Sequence, residues 1–261
     1  MRKIAVKIIN RTAMSPVAMT GFLAKLTQRG HTIKTVEDAI DMLTSDLVTA
    51  TKTTDKVLRL PRHGSILRHS PITMIIVGGS RRLLGQLRTH SIGIDWVSAS
   101  LQYSNYSEDA DFVIPYELFS QPDEVIQMYI NKCKSDVAFY KFMIDNLHLS
   151  NDTAGYLMNQ AMRNTLVCTA NHEAWLNLIA SRICHRNTDE TSYVSALIWE
   201  ELFSESVDGQ VMFKYAGPDC LHGSCREGHM SCRTPFDEKI LLADNPATAL
   251  ISELWPLIER S

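Results

Sequence analysis

The 261-residue sequence predicts an α+β fold in which helices predominate and the sheet is small. Three observations carry this. Strand-like apolar runs are few and short, at residues 3–9, 72–77 and 166–169. Helix-period patterns fill much of the remainder, above all after residue 121. Strands and helices do not alternate as a doubly wound parallel sheet requires, and there is neither a GxGxxG nor a Walker loop.

Taken in order, residues 3–9 are rich in β-branched side chains and read as a strand. Residues 15–28 read as a helix with Ser15 as cap, Pro16 in the first turn and Gly30 at the stop. Residues 35–51 carry apolar positions at helical spacing, and Thr35 with Asp38 forms a capping pair. Residues 61–71 are a loop or short helix. Ile72–Val77 is a buried strand that Gly78 and Gly79 end, and Ser80 caps a helix to about His90. A Gly-Gly-Ser turn into a helix suits presentation of N–H groups to an anion, although two glycines also suit any tight turn. Residues 91–104, rich in serine, read as an irregular polar segment. Helices follow at 121–147, from the cap Ser150 to about Arg163, at 171–183 and at 190–203, with an extended piece at 166–169. The tail from Gly209 is loop-rich, with a last helix at 247–260. The expected organisation is a single α+β domain over 1–208 and a Cys-containing C-terminal tail over 209–261 packed on it.

Composition excludes several classes. The apolar fraction is 45% and the charged fraction 21%, which is ordinary globular usage and argues against disorder or a coiled-coil rod. No apolar run approaches the ~18 residues of a membrane span, and no signal-peptide core precedes Asn10. The expectation is a soluble, cytoplasmic protein with no membrane partner. The net charge of −3 argues against nucleic acid as the partner. That charge is unevenly placed. Residues 56–90 hold seven Lys/Arg, the histidines His63, His69 and His90, and no acid, so the remainder carries −10. A local anion site fits this segment; a solvated basic face is the alternative.

The residues of this segment resemble those of the flavin-dependent thymidylate synthases. That family has a loop of the form G-H-x-S-x-x-E-H, a short strand, a helix S-R-x-x-x-x-Q-L-x-R-H-R, and then S-x-R-Y. Here His63, Ser65 and His69 fall on the loop, with Arg68 in place of the acid. Ser80, Arg81, Gln86, Leu87 and His90 fall on the helix, and Ser100-Leu101-Gln102-Tyr103 on the last element, one residue late. A second motif, T-x-N-x-R-S-L-x-x-F-L-x-x-R, meets Thr169, Asn171 and Arg182, with Asn177 where many members have Asn or His. Glu190 matches the acid of the following helix. The resemblance covers about residues 55–205.

The resemblance implies the α+β fold of that family, helix-rich with a small sheet, in a homotetramer with FAD sites at subunit interfaces. It implies reductive methylation at C5 of a uracil nucleotide, by default dUMP to dTMP. FAD would be the cofactor, NADPH and methylenetetrahydrofolate the cosubstrates, and a pyrimidine nucleotide monophosphate the partner. His69, His90, Asn171 and Asn177 would contact the flavin. Gln86, Ser100, Gln102 and Arg182 would contact the nucleotide, with Arg182 and Ser100 in the catalytic set. Several family arginines are replaced here: by Thr89 and Ser91 beside His90, by Gln102, by Gly155 and by Glu173. Guanidinium forks bind phosphate oxygens through paired N–H groups, so Arg81, Arg82, Arg88, Arg163 or Arg186 would have to compensate. The alternatives are the same scaffold with another pyrimidine nucleotide or hydroxymethyl transfer, or an inactive nucleotide-binding paralogue.

Each residue also has a structural reading. Asn171 is a good helix N-cap. Asn177 fits a satisfied core amide, Arg182 a cation closing a helix C-terminus, Ser100 a turn serine, and His69 and His90 partly buried structural histidines. Cys133, Cys168 and Cys184 read as small core residues. Cys220, Cys225 and Cys232, with His222 and His229 between them, could hold Zn²⁺, but their spacing departs from a C-x2-C pair. A loop of free thiols near a subunit interface or substrate, with no metal, is the expectation.

Overall fold

A computed structural model describes residues 4–44, 47–59, 61–108, 110–223 and 225–256, with residues 61–63 described by their backbone alone. The side chain of His63 and the last residues of the expected C-terminal helix thus lie outside the described part.

The described residues build one antiparallel four-stranded sheet of order β1-β2-β4-β3. Its strands are β1 (Ala5–Arg11), β2 (Ile72–Ser80), β3 (Ile94–Ser98) and β4 (Arg163–Ala170). The helices are α1 (Pro16–Arg29), α2 (Val36–Thr44), α3 (Leu47–Arg59), α4 (Arg81–Leu87), α5 (Asp123–Asp145), α6 (Asn151–Gly155), α7 (His172–Arg182), α8 (Asp189–Ser204), α9 (Val207–Met212) and α10 (Pro246–Leu254).

Local chemistry fixes the element starts. Ser15 Oγ accepts from Ala18 N at 3.1 Å, and Pro16 costs no hydrogen bond in the first turn of α1. Thr35 and Asp38 form the reciprocal capping box: Asp38 N donates to Thr35 Oγ1 at 3.1 Å, and Thr35 N to Asp38 Oδ2 at 2.9 Å. Ser80 and Ser150 cap α4 and α6 as expected.

Strict alternation builds the sheet. Leu166, Cys168 and Ala170 of β4 and Met74 and Ile76 of β2 point into the core, where they meet Trp175, Leu178 and Ile179 of α7. Helix α8 is buried nearly all round, from Thr191 to Trp199, because it lies under β1, α7, α9 and α10 at once. It also holds the edge strand: Glu201 accepts from Ile8 N at 3.0 Å and pairs with Lys7 at 2.9 Å. Met212, Phe213, Leu221, Phe236, Ile240 and Trp255 join this same core. A second, smaller cluster of Tyr140, Ala154, Met158 and Met162 lies under α5.

Four expectations are corrected. The single helix over 35–51 is replaced by α2 and α3. Gly78 and Gly79 do not end β2; the strand runs through them with a register shift, and Gly78, at φ 85°, supplies the left-handed residue. The serine-rich segment contains β3, paired with β4 from Ile94↔Ala170 to Ser98↔Leu166. The helix expected to reach Arg163 stops at Gly155, and Arg163 opens β4 instead.

Candidate functional site

Helix α7 starts immediately after β4, so the residues at its N-terminus stand at the edge of the sheet beside β3. Asn171 has extended geometry (φ −80°, ψ 167°), and its Oδ1 accepts from Ala174 N at 3.0 Å. The cap reading therefore holds, and among the described residues the amide Nδ2 has no hydrogen-bond partner. That group faces the turn into β3. Gly93 sits there at φ 73°, and a Cβ on it would lie 3.0 Å from Asn171 Nδ2 and 3.2 Å from Ala174 Cβ. Only a residue without a side chain keeps this cradle open.

Around the cradle lies a pocket of about 420 Å³, lined among others by Arg68, Thr89, His90, Gly93, Asn171, Glu173 and Asn177. Three expected site residues, His90, Asn171 and Asn177, thus meet here. Asn177 is exposed on the wall, which removes the core-amide reading. Arg182, the last residue of α7, reaches across to the wall. Its Nε donates to His90 Nε2 at 2.7 Å, Nη1 donates to Asn187 Oδ1 at 3.0 Å, and Nη2 donates to Thr89 Oγ1 at 2.5 Å. The arginine can only donate, so His90 is neutral with Nε2 as acceptor. Burial and the Arg182 charge both hold the His90 pKa below the ordinary histidine value. Burial also lowers the Arg182 pKa.

The loop wall is tied to α7 twice. His172, fully buried, donates from Nδ1 to Ser70 O at 2.8 Å and stacks on Phe213. Burial drives its pKa down to about 4. Arg68 forms a two-point ion pair with Glu173. Sequence reasoning placed neither Arg68 nor Glu173 in the site. The available signal was that both depart from the motif with opposite sign.

Other expected residues stand apart. His69 is exposed and does not line the pocket, and Gln86 is half-buried on α4. Ser100 makes a turn, its Oγ accepting from Gln102 N at 3.1 Å, and Gln102 is exposed. At Gly155, where the resemblance expects arginine, Leu101 packs over the backbone, 3.2 Å from a Cβ placed there. Two of the arginines offered as compensation are engaged elsewhere. Arg163 donates to Gly78 O and Phe112 O and pairs with Asp111, and Arg186 binds Glu227 and Met230 O. A larger cavity of about 610 Å³ is lined by Arg82, Tyr129, Arg163, His185 and Glu190 and holds none of the expected site residues. Its Glu190 caps α4 from outside, accepting from Ser80 N at 2.7 Å, and burial raises its pKa. This carboxylate organises the Ser80 turn.

The cysteines are all free. Cys133 and Cys168 are buried, and burial pushes the Cys168 thiol up to about 12. Among the described residues no group of three His, Cys, Asp or Glu is placed to hold a metal ion, and no helix is long and apolar enough to cross a membrane.

The donor set suits an anionic ligand with hydrogen-bonding rings. Asn171 Nδ2, the Arg68 guanidinium and the α7 N-terminus face one opening, with Gly93 leaving room for a flat group. A flavin dinucleotide fits that chemistry.

Comparison with known proteins identifies the family and the fold. The family described as Thymidylate synthase complementing protein matches residues 11–205. A flavin-dependent thymidylate synthase from Geobacter sulfurreducens is 27% identical over 191 residues, covering 73% of this chain and 79% of the relative. One from Clostridium tetani is 26% identical over 187 residues, covering 65% and 72%. Among solved structures, Thymidylate Synthase X from Helicobacter pylori with FAD and dUMP superposes with a TM-score of 0.61 at 17% identity, covering 80% of this chain and 97% of that one. The UMP/dUMP methylase PolB from Streptomyces cacaoi bound with 5-Br dUMP gives 0.61 at 16%, covering 83% and 97%. With the family matched across most of its length and the fold shared, this chain belongs to the flavin-dependent thymidylate synthase family.

Proposed function

We propose that this protein methylates C5 of a uracil nucleotide reductively, converting dUMP to dTMP, with methylenetetrahydrofolate as carbon donor and NADPH as reductant of bound FAD. The observation that carries this reading is the pocket where His90, Asn171 and Asn177 meet and Arg182 is held against His90. Bound FAD supplies the hydride chemistry. The chain's own residues bind, orient and polarise. Asn171 caps α7 with its oxygen and offers its amide N–H groups to the flavin, and Asn177, six residues further along α7, offers its side-chain amide from the pocket wall. Arg182, fixed by three partners, presents charge to the pyrimidine edge without having to reorganise. The buried Cys133 and Cys168 take no part, since this chemistry needs no thiol nucleophile.

A volume of about 420 Å³ accommodates part of a dinucleotide. We therefore place the complete site at a subunit interface of a homotetramer. Gln86, Ser100 and Gln102 line neither cavity of their own chain; they act as nucleotide contacts toward a neighbouring subunit, and His69 as a flavin contact. The exposed apolar residues Met128, Phe139 and Phe142 of α5 favour such an assembly.

A second reading, the same scaffold with another pyrimidine nucleotide or hydroxymethyl transfer, draws on Gly155: Leu101 covers the place of the expected phosphate arginine. The experiment is an absorbance spectrum from about 300 to 550 nm after FAD addition and desalting, then product analysis with dUMP, UMP and dCMP. Retained flavin and dTMP formation are expected. A colourless protein overturns the flavin reading, and turnover of UMP or dCMP alone moves the substrate to the second reading.

A further inference from the structure

Two positions in the pocket depart from the family pattern in opposite directions. Position 68, an acid in the loop motif, is arginine, and position 173, an arginine in the helix motif, is glutamate. They are 105 residues apart in sequence, yet the fold joins them in a two-point contact: Arg68 Nε donates to one Glu173 oxygen, and Nη2 donates to the other at 3.2 Å. A third position fits the same arrangement. A Cβ on Gly64 would overlap Glu173 Oε1, so the carboxylate occupies space that a side chain at 64 would fill.

Stability does not explain the pair. Arg68 is more than half exposed, and ion pairs this open to water add little to a fold. The pocket gives a better reason. Among the described residues on its wall, Arg68 is the only lysine or arginine, and Glu173 the only acid. A bare carboxylate in the first turn of α7 would repel an anionic ligand. Paired with Arg68 it is neutralised, and it fixes the guanidinium plane. The fork uses Nε and Nη2; Nη1 makes no hydrogen bond among the described residues and retains its two donors.

We propose that Arg68 and Glu173 are a reciprocally exchanged ion pair, in which Arg68 contacts a phosphate of the flavin dinucleotide from the loop wall and Glu173 holds it in position. This rests on the FAD reading above. The test is FAD titration by fluorescence quenching of wild type and variants, with thermal melting as the check on folding. Arg68→Gln is expected to bind FAD at least about tenfold more weakly, with an unchanged melting temperature. Arg68→Gln/Glu173→Gln removes the repelling acid as well and is expected to remain about tenfold weak, because the contact itself is gone. The reversed pair, Arg68→Glu/Glu173→Arg, is expected to bind within about threefold of wild type and far better than Arg68→Glu alone. Full recovery in the neutral double variant would reduce Arg68 to a mask for Glu173 and overturn the contact. A reversed pair no better than Arg68→Glu would overturn the exchange. Failure of the wild type to bind FAD would be seen before any variant is compared, and it would strike the flavin reading itself.

Discussion

Arg182 ends α7 with its guanidinium shared among His90, Asn187 and Thr89, so its position is set before any ligand arrives. The arginine motif alone is equally consistent with a cation closing a helix C-terminus; the structure instead turns the side chain away to the pocket wall. Arg182→Ala is expected to lower kcat by about 100-fold or more, as loss of a fixed polarising donor does. The melting temperature should move by only a few degrees; unchanged kinetics would remove Arg182 from the site. His172 makes a different prediction. Its folded pKa of about 4 lies below the unfolded value of 6.5, so the unfolded state binds the extra proton first. Its contribution to stability is complete above pH 6.5 and is lost as pH falls toward 4, by about 3 kcal/mol. Urea unfolding across this range should show the loss, and His172→Gln should lose most of the slope. A wild-type stability that stays flat from pH 7 to 4 would contradict it. His90 and His185 are depressed in the same direction, and the variant separates them from His172.

At the scale of elements, the strand–turn–helix pieces that make the site were legible where side chains cap or alternate. Ser80, Ser150 and Asn171 are caps that residue type alone identifies, because only a side-chain oxygen can satisfy the first free N–H groups. Strand β3 was hidden because Asp95 and Val97 face outward and the serines around them suppress the apolar signal; only pairing with β4 defines it. Gly155 ends α6 early for a related reason, since Leu101 packs on it and the chain must turn into β4. The turn into β3 carries the element-level prediction. Gly93→Ala forces a side chain into left-handed geometry and against Asn171. It is expected to cost about 1–2 kcal/mol in stability and to weaken FAD binding. Melting and FAD titration check both, and unaltered binding would separate this turn from the site.

The whole molecule is one core around α8, with the α5 cluster beside it. The outer side of α5 leaves Met128 at 71% and Phe139 at 53% exposure, more apolar surface on one helix than an isolated subunit needs. Light scattering is expected to give a mass near four times the 29.4 kDa chain, and Phe139→Asp to give a smaller species. A monomeric wild type would contradict the shared site. The sequence by itself determined the family, the helix-rich α+β class and the pocket members His90 and Asn171, because motif spacing and capping chemistry act over a few residues. It could not determine that Arg163 and Arg186 are bound elsewhere, that Leu101 covers Gly155, or that Arg68 meets Glu173. Those outcomes depend on which distant side chains share a few ångströms of space, and only the pairing of β2, β4 and β3 and the docking of the loop on α7 bring residues 105 positions apart into one ion pair.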